Sequence, residues 1–330
     1  MTTGPFMTQA IVLRETGGPE KLRYESVPVG ATGPDELRIR HTAIGVAFHD
    51  TYVRSGLYKT LTLPGIPGLE AAAIVEEVGS RVSGFSPGDR ISYIDSSYGA
   101  YAQERVLPAR LALRLPEGIT DEVGAGFTIR ALTAHMLLRQ VRAVRPGDRL
   151  LIHAAAGGMG QLLVGWAKHL GATVIATVGS QQKAEIAQEC GADHVILYRE
   201  ESFVERVAQL TQGEGVDVVY DSVGADTFSG SVDCLGVLGT LVNFGQSSGP
   251  VPPFTISRLA ARSNAVVRPM LFHYIRDRVA LESMAHESFK ALQDGIIRAR
   301  IDMRVPLARA AEAHIALESR STSGVVILIP

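Results

Sequence analysis

RLLIHAAAGGMGQLLVGWAKHLGATVIATVGSQQK, residues 149–183, decides the fold. The apolar run at residues 150–153 predicts a buried strand. A glycine-rich turn follows, with Ala155, Gly157, Gly158 and Gly160, then an amphipathic helix, then a second apolar run at residues 173–178. Strand, glycine turn, helix and strand in that order open a βαβ unit that binds a dinucleotide. Within the turn, Ala156, Gly157, Gly158, Met159 and Gly160 are the candidate pyrophosphate contacts. Gly157 lets the backbone approach the phosphates and Gly160 lets the helix pack closely on the strand. The helix N-terminus adds free N–H groups and a partial positive charge. Ala155 replaces the first glycine, which predicts a turn that avoids positive φ. NAD-binding units place an acid about 20 positions past the glycines, on the ribose hydroxyl. Here that region reads Gly179-Ser180-Gln181-Gln182-Lys183, with no acid and one cation. An acid would repel a 2′-phosphate, so its absence beside Lys183 favours NADP(H).

The remaining composition bounds the answer. A chain of 330 residues suggests about two domains. Its formal net charge is −2 and no basic stretch stands out, which argues against a nucleic-acid or membrane-surface partner. The two cysteines, Cys190 and Cys234, fit a reducing cytosol and read as small buried residues. MTTGPFMTQA lacks the basic and apolar regions of a signal peptide and reads as a floppy leader before the first strand. No apolar run reaches the roughly 18 residues a membrane helix needs. The expectation is a soluble, cytoplasmic protein.

The texture along the chain separates two kinds of structure. Alternating apolar residues at 10–13, 36–40 and 73–78, divided by Gly-Pro and Pro-Gly pairs, predict a mostly β domain. Residues 130–141 have helical spacing. The middle third then alternates helices at 182–190, 202–210 and 226–234 with strands at 194–197, 216–220 and 240–244. Gly191 closes the first of these helices, and Ser202 with Glu205 forms a capping box for the second. Strict alternation implies a parallel sheet with helices on both faces. The last 65 or so residues hold helices at 281–292 and 308–316, a strand near Asp302 and a closing strand at 325–329.

FHDTYVRSGLY (residues 48–58), HAAAGGMG (153–160), VYDSVG (219–224), NFGQSSG (243–249) and ESRSTSGVVILIP (318–330) together resemble the NADPH-dependent quinone oxidoreductases, the zinc-free, zeta-crystallin-like branch of the medium-chain dehydrogenases/reductases. The five motifs stand in the family's order and span the chain past its leader. The resemblance implies an α/β protein with a discontinuous GroES-like catalytic domain, residues 1–130 and 271–330. It also implies an inserted Rossmann cofactor domain, a doubly wound parallel sheet over residues 131–270, and a homodimer.

The same resemblance assigns candidate sites. Tyr198, at the end of the third strand, and Arg320 join Gly179, Ser180 and Lys183 around the 2′-phosphate. Lys183 and Tyr198 also read as ordinary surface residues. Thr133, Ser222, Phe244, Gly245 and Ser248 are assigned to the nicotinamide end, although Gly224 and Gly245 have a plainer reading as turn glycines. Tyr52, Arg54 and Tyr58 are assigned to the substrate pocket, with Tyr52 and Arg54 as the candidate catalytic residues. An asparagine is usual where this chain has Ala47, so a polar contact near the nicotinamide is lost. His49 sits in this loop and reads as a solvated histidine, with a polar group at the pocket mouth as the alternative. Gly68-Leu69-Glu70 stands where zinc-dependent relatives carry Gly-His-Glu, and leucine cannot ligate. Without a Lewis acid to stabilise an alkoxide, reduction of an electron-poor acceptor is the easier chemistry. The expected activity is NADPH-dependent reduction of quinones. Two alternatives stay open: reduction of alkenal or enone double bonds, and a non-catalytic NADPH- or RNA-binding crystallin-like role.

Overall fold

The computed structural model describes residues 6–319 and 321–330. Residues 1–5 of the expected leader, and Arg320, lie outside them; residues 6–10 are not a leader but open the first strand, where they pair antiparallel with residues 25–29. The strands in chain order are β1 (Phe6–Leu13), β2 (Leu22–Val29), β3 (Glu36–Val46), β4 (Glu70–Val78), β5 (Arg90–Ile94), β6 (Glu104–Pro108), β7 (Ala112–Arg114), β8 (Arg149–Ile152), β9 (Thr173–Val178), β10 (His194–Leu197), β11 (Val216–Asp221), β12 (Leu235–Asn243), β13 (Ala265–Val267), β14 (Ile301–Pro306) and β15 (Val325–Ile329). The helices are α1 (Phe48–Ser55), α2 (Asp121–His135), α3 (Gly158–His169), α4 (Gln181–Glu189), α5 (Phe203–Leu210), α6 (Phe228–Asp233), α7 (Leu271–Tyr274), α8 (Arg278–Gln293) and α9 (Ala310–Glu318).

Two compact units result. One comprises Met1–Ile129, Asp277–Phe289 and Ala299–Pro330, and the other Arg130–Arg276 and Lys290–Arg298. The first holds the β1–β2 hairpin and a mixed sheet in the order β14-β15-β3-β4-β5-β7, with β6 paired to β3. Ile39, Ile44, Ala71, Ile91, Tyr93, Tyr101 and Leu328 form its core. Burying an aliphatic side chain of this size stabilises the fold by roughly 1.5–3 kcal/mol each.

The second unit holds a parallel sheet in the order β10-β9-β8-β11-β12-β13. Numbered within the unit this is 3-2-1-4-5-6, the dinucleotide-binding order. In β8, Leu150, Leu151 and Ile152 are all fully buried, as a strand covered on both faces requires. Only half of the expected capping box forms, because Ser202 accepts at its helix start while no bond returns from the Glu205 side chain, and Ser180 caps α4 in the same way. The hydroxyl oxygens of Ser180 and Ser202 accept from the backbone N–H of Lys183 and Glu205, each at 3.4 Å. Gly191 ends α4 at φ +103°.

Two elements differ from expectation for a packing reason. The helix expected at 130–141 begins nine residues earlier, as α2, and passes into a π-helical stretch at Met136–Val141. Gly124 and Gly126, ahead of the expected helix, sit inside α2. A Cβ on Gly126 would lie 2.7 Å from Val325, and one on Gly124 would lie 2.6 Å from Leu115. The glycines are there for close contact, not for turning. Residues 290–298 pack with the second unit for a similar reason: the Ile296 carbonyl lies only 2.9 Å from where a Cβ of Gly165 on α3 would be.

Four histidines are buried among the described residues, and for three of them burial has a consequence for stability. His41 contacts the Ala102 carbonyl at 2.7 Å and the Tyr93 hydroxyl at 2.8 Å. His153 lies 2.9 Å from both Thr177 and Ser231, and His314 lies 3.1 Å from the Tyr101 hydroxyl. Burial lowers His41 and His314 to about 3 and His153 to about 4. The unfolded chain titrates near 6.5, so it binds more protons than the folded one below that pH. Stability is therefore whole above pH ~6.5 and is lost as pH falls toward 4, at up to about 1.4 kcal/mol per pH unit for each histidine. The melting temperature is expected to drop between pH 7 and pH 5; a flat profile would show that these rings are not held neutral.

Candidate functional site

The turn between β8 and α3 is held by backbone bonds at both ends. The N–H of Ala155 donates to the Thr177 carbonyl on β9 at 3.2 Å, and the N–H of Gly157 donates to the Ala154 carbonyl at 3.0 Å. The turn does not avoid positive φ, contrary to the expectation from Ala155. Positive φ falls one residue early, on Ala154, at +51°. Gly157 is the N-cap of α3 in extended conformation, with no side-chain cap. The first amides of the helix, on Gly158, Met159 and Gly160, are thus left for an anion to satisfy. A Cβ on Gly160 would lie 2.3 Å from the Ala154 carbonyl oxygen and 2.6 Å from the Ala155 Cα. Only glycine permits that contact. A Cβ on Gly157 would meet the same oxygen at 3.2 Å, which is tight but not prohibitive.

A second group assembles at the ends of β9 and β10. The N–H of Tyr198 donates to the Val178 carbonyl at 3.2 Å, which sets the ring beside Gly179. The Tyr198 hydroxyl lies 2.8 Å, and the Arg199 Nε 3.4 Å, from where a Gly179 Cβ would be. Ser180 caps α4, and Lys183 sits in its first turn, half-buried. Gly179, Ser180 and Tyr198 are therefore brought together, along with Arg199, which the sequence reading missed; Lys183 follows them in the first turn of α4. The only available signal was a cation directly after the strand-ending tyrosine. Arg320 lies outside the described residues.

The loops after β11 and β12 interlock. A Cβ on Gly245 would lie 2.6 Å from the Ser222 carbonyl oxygen, and one on Gly224 would lie 2.7 Å from the Gly249 carbonyl oxygen. Both glycines serve close backbone packing, in keeping with their plainer reading. The hydroxyl of Ser248 donates to the Val223 carbonyl at 2.8 Å and accepts from the Asp226 N–H at 3.0 Å. It clamps the two loops together. Asp221, fully buried, accepts from the N–H groups of Val223 and Gly224 at 2.8 and 3.0 Å and from the Thr227 hydroxyl at 2.9 Å. This organising carboxylate was also missed. Ser222 and Phe244 stand half-buried at the two strand ends, and Thr133 is half-buried on α2.

In the first unit, α1 carries the aromatic stretch. Ala47 occupies its N-cap but has no polar atom to cap with; Asp50 accepts from the Ala47 N–H at 2.8 Å instead. Tyr52 and Tyr58 meet edge to face with ring centroids 5.1 Å apart, and His49 meets Tyr58 at 5.2 Å. His49 is not a solvated loop residue. It lies in the first turn of α1 and its Nε2 is 2.9 Å from the hydroxyl of Tyr98, a buried residue. Burial holds its pKa at about 4. Arg54 is committed elsewhere. Its guanidinium bonds Glu318 at 2.5 and 3.0 Å and donates to the Gly17 carbonyl at 3.1 Å, with a side chain only 3% exposed. It joins α1 to α9, while Tyr52 and Tyr58 keep partly exposed rings.

The two turn glycines are separable by experiment. Gly160→Ala should destabilise the protein by about 1–3 kcal/mol through overpacking, seen as a lower melting temperature. Gly157→Ala should leave the melting temperature within a few degrees and weaken dinucleotide binding measured by fluorescence. Equal effects of the two on stability would contradict the geometry.

Comparison with known proteins agrees with this arrangement. Residues 33–117 match the family described as Alcohol dehydrogenase GroES-like domain, and residues 158–286 match Zinc-binding dehydrogenase. The chain is 43% identical to a quinone oxidoreductase of Pseudomonas aeruginosa over 325 residues, 98% of this chain and 100% of the relative. It is 42% identical to a 2-haloacrylate reductase of Burkholderia sp over 331 residues, 98% of this chain and 99% of the relative. The solved structure of Escherichia coli quinone oxidoreductase complexed with NADPH superposes with a TM-score of 0.94 at 42% identity, covering 98% of this chain and 100% of that one. With a GroES-like unit, a parallel dinucleotide-binding sheet and this identity along nearly its whole length, the chain belongs to the quinone oxidoreductase family of the medium-chain dehydrogenases/reductases.

Proposed function

We propose that the protein reduces quinones with NADPH and without zinc. The observation that carries this reading is the pair of cofactor-shaped features on the second unit: a helix N-terminus packed at van der Waals limits on its turn through Gly160, and Arg199 beside Gly179, with Lys183 in the first turn of α4, where an NAD-binding unit has an acid. The residues fit NADPH. The amides of Gly158, Met159 and Gly160, with Ala156 and Gly157 behind them, would hold the pyrophosphate. Ser180, Lys183, Tyr198 and Arg199 would hold the 2′-phosphate, an anion of nearly two charges that gains from cations and a phenol together. Thr133, Ser222, Phe244 and Gly245 would frame the nicotinamide, with Ser248 fixing the loops. When bound, NADPH supplies a hydride equivalent to the acceptor.

The chain's own contribution to the chemistry is positioning. The rings of Tyr52 and Tyr58 offer a flat acceptor an apolar contact, and the Tyr52 hydroxyl offers its carbonyl a donor. Arg54 acts at one remove, holding α1 in place through Glu318. Zinc is not part of this proposal: Leu69 is buried, and the carboxylate of Glu70 accepts from the Ile129 N–H at 2.8 Å. Among the described residues no group of three or more His, Cys, Asp or Glu could hold a metal ion. The likeness to a 2-haloacrylate reductase supports a second reading, reduction of a conjugated double bond, on the same fold and cofactor. Neither Cys190 nor Cys234 forms a disulfide, and burial pushes the Cys234 thiol up to about 12, which suits a cytoplasmic protein. No helix among the described residues is long and apolar enough to cross a membrane.

We infer a homodimer from the sheet edge. β13 ends the second unit's strand order, and Val237, Leu238, Ile256, Val266 and Met270 are exposed on that unit. An open strand edge with exposed apolar residues is costly to leave bare. Val266→Lys should convert a dimer to a monomer by light scattering; a wild-type protein that is monomeric at micromolar concentration would remove this inference.

The activity is tested by NADPH and NADH oxidation over a panel of quinones and enones. NADPH is expected to be preferred, and Lys183→Glu to lose at least tenfold in NADPH affinity with little change for NADH. Purified protein that binds NADPH yet reduces neither acceptor class would overturn the reading.

A further inference from the structure

We propose that His49 donates the proton that completes acceptor reduction, and that Tyr98 and Thr60 refill it from a solvent-filled groove. This rests on the reading that Tyr52 and Tyr58 face the acceptor.

The observations lie within the first unit. His49 edges onto Tyr58, which edges onto Tyr52, so its ring borders the acceptor side of α1. Its Nε2 contacts the Tyr98 hydroxyl at 2.9 Å, and Nδ1 has no hydrogen-bond partner among the described residues. The Tyr98 hydroxyl in turn hydrogen-bonds the Thr60 hydroxyl. Tyr98 is held in the left-handed region at φ +68°, unusual for a tyrosine. Its N–H donates to the Asp95 carbonyl at 3.2 Å, and its carbonyl accepts from the Arg105 guanidinium at 2.7 Å. A strained residue over-determined by its surroundings marks a functional position. Thr60 and Tyr98 also line an open groove of about 1040 Å³, shared with Thr62, Pro64, Ser96 and Ser97. The hydrogen-bonded chain thus runs from a water-accessible groove to the aromatic cluster.

The protonation states suit one direction of travel. Burial lowers His49 to about 4 and raises the Tyr98 phenol, so both are neutral at pH 7. With Tyr98 donating to Nε2, the single imidazole proton sits on Nδ1. Reduction leaves an electron pair on the acceptor oxygen. An O–H bond forms there as the Nδ1–H bond of His49 breaks, and Nε2 takes the phenolic proton of Tyr98. Tyr98 is reprotonated by Thr60, and Thr60 by groove water. The net transfer is one proton from water to product, and it leaves His49 with its proton on Nε2; after product departs, proton exchange with water returns it to the Nδ1–H form as the Tyr98 and Thr60 hydroxyls turn back.

The test is chemical rescue. His49→Ala should lower kcat for quinone reduction by about 100-fold or more, the usual scale of general acid catalysis. Added imidazole should restore at least a tenth of the wild-type rate. NADPH affinity, read by fluorescence titration without turnover, should not change. Tyr98→Phe and Thr60→Val should each slow turnover and diminish the solvent deuterium isotope effect on kcat. An unchanged kcat in His49→Ala overturns the proposal, and so does a lost kcat that imidazole cannot restore while NADPH still binds. If the alanine variant fails to bind NADPH, His49→Gln carries the same comparison. Tyr52→Ala separates the two levels: a raised KM with an unaffected His49→Ala sinks the relay alone, whereas an unchanged KM sinks the underlying reading.

Discussion

The approach of α3 to the turn after β8 is the contact on which the cofactor surface depends. At Gly160 the helix lies so near the Ala154 carbonyl that a single methyl group would sit 2.3 Å from it. That closeness aims the first amides of α3 outward, where the summed peptide dipoles favour negative charge. It also forces the strain of the turn onto Ala154, one of the few non-glycine residues with positive φ. The bond from Ala155 to Thr177 ties the same turn to β9, so its shape is fixed from two strands at once.

The neighbouring loops follow the same principle of backbone against backbone. Gly224 and Gly245 allow the loops after β11 and β12 to pack where side chains would collide. Asp221 then satisfies the amides that this packing leaves facing inward, and Ser248 joins one loop to the other. A buried carboxylate is costly unless several donors meet it, and here four do: the N–H groups of Val223 and Gly224 and the hydroxyls of Thr227 and Ser231. The result is a rigid rim at the carboxyl ends of the strands, where open α/β sheets bind ligands.

The first unit solves a different problem: how to present aromatic rings on a short helix with a weak cap. Ala47 contributes no side-chain cap, so α1 relies on Asp50 at its start and on Arg54 near its end. Arg54 is therefore a structural cation, although its place in the motif suggested catalysis. With α1 held at both ends, Tyr52, Tyr58 and His49 keep fixed edge-to-face contacts. Such contacts are worth about 0.5–1.5 kcal/mol per pair beyond the area they bury.

Periodicity and turn chemistry are local properties, and the sequence by itself determined what they govern. The β8–turn–α3–β9 unit, the alternation that follows it, the Ser202 cap of α5 and the missing acid after β9 were all legible from neighbouring residues. Contacts between residues far apart in the chain were not. That Gly126 makes room for Val325, that Arg54 pairs with Glu318 and that His49 meets Tyr98 depend on which surfaces the folded chain brings together. The same holds for Arg199, whose position beside Gly179 comes from the pairing of β9 with β10. Local sequence carries the shape of each element; only tertiary packing, through steric limits and the need to satisfy buried polar groups, decided which side chains serve the site and which hold it in place.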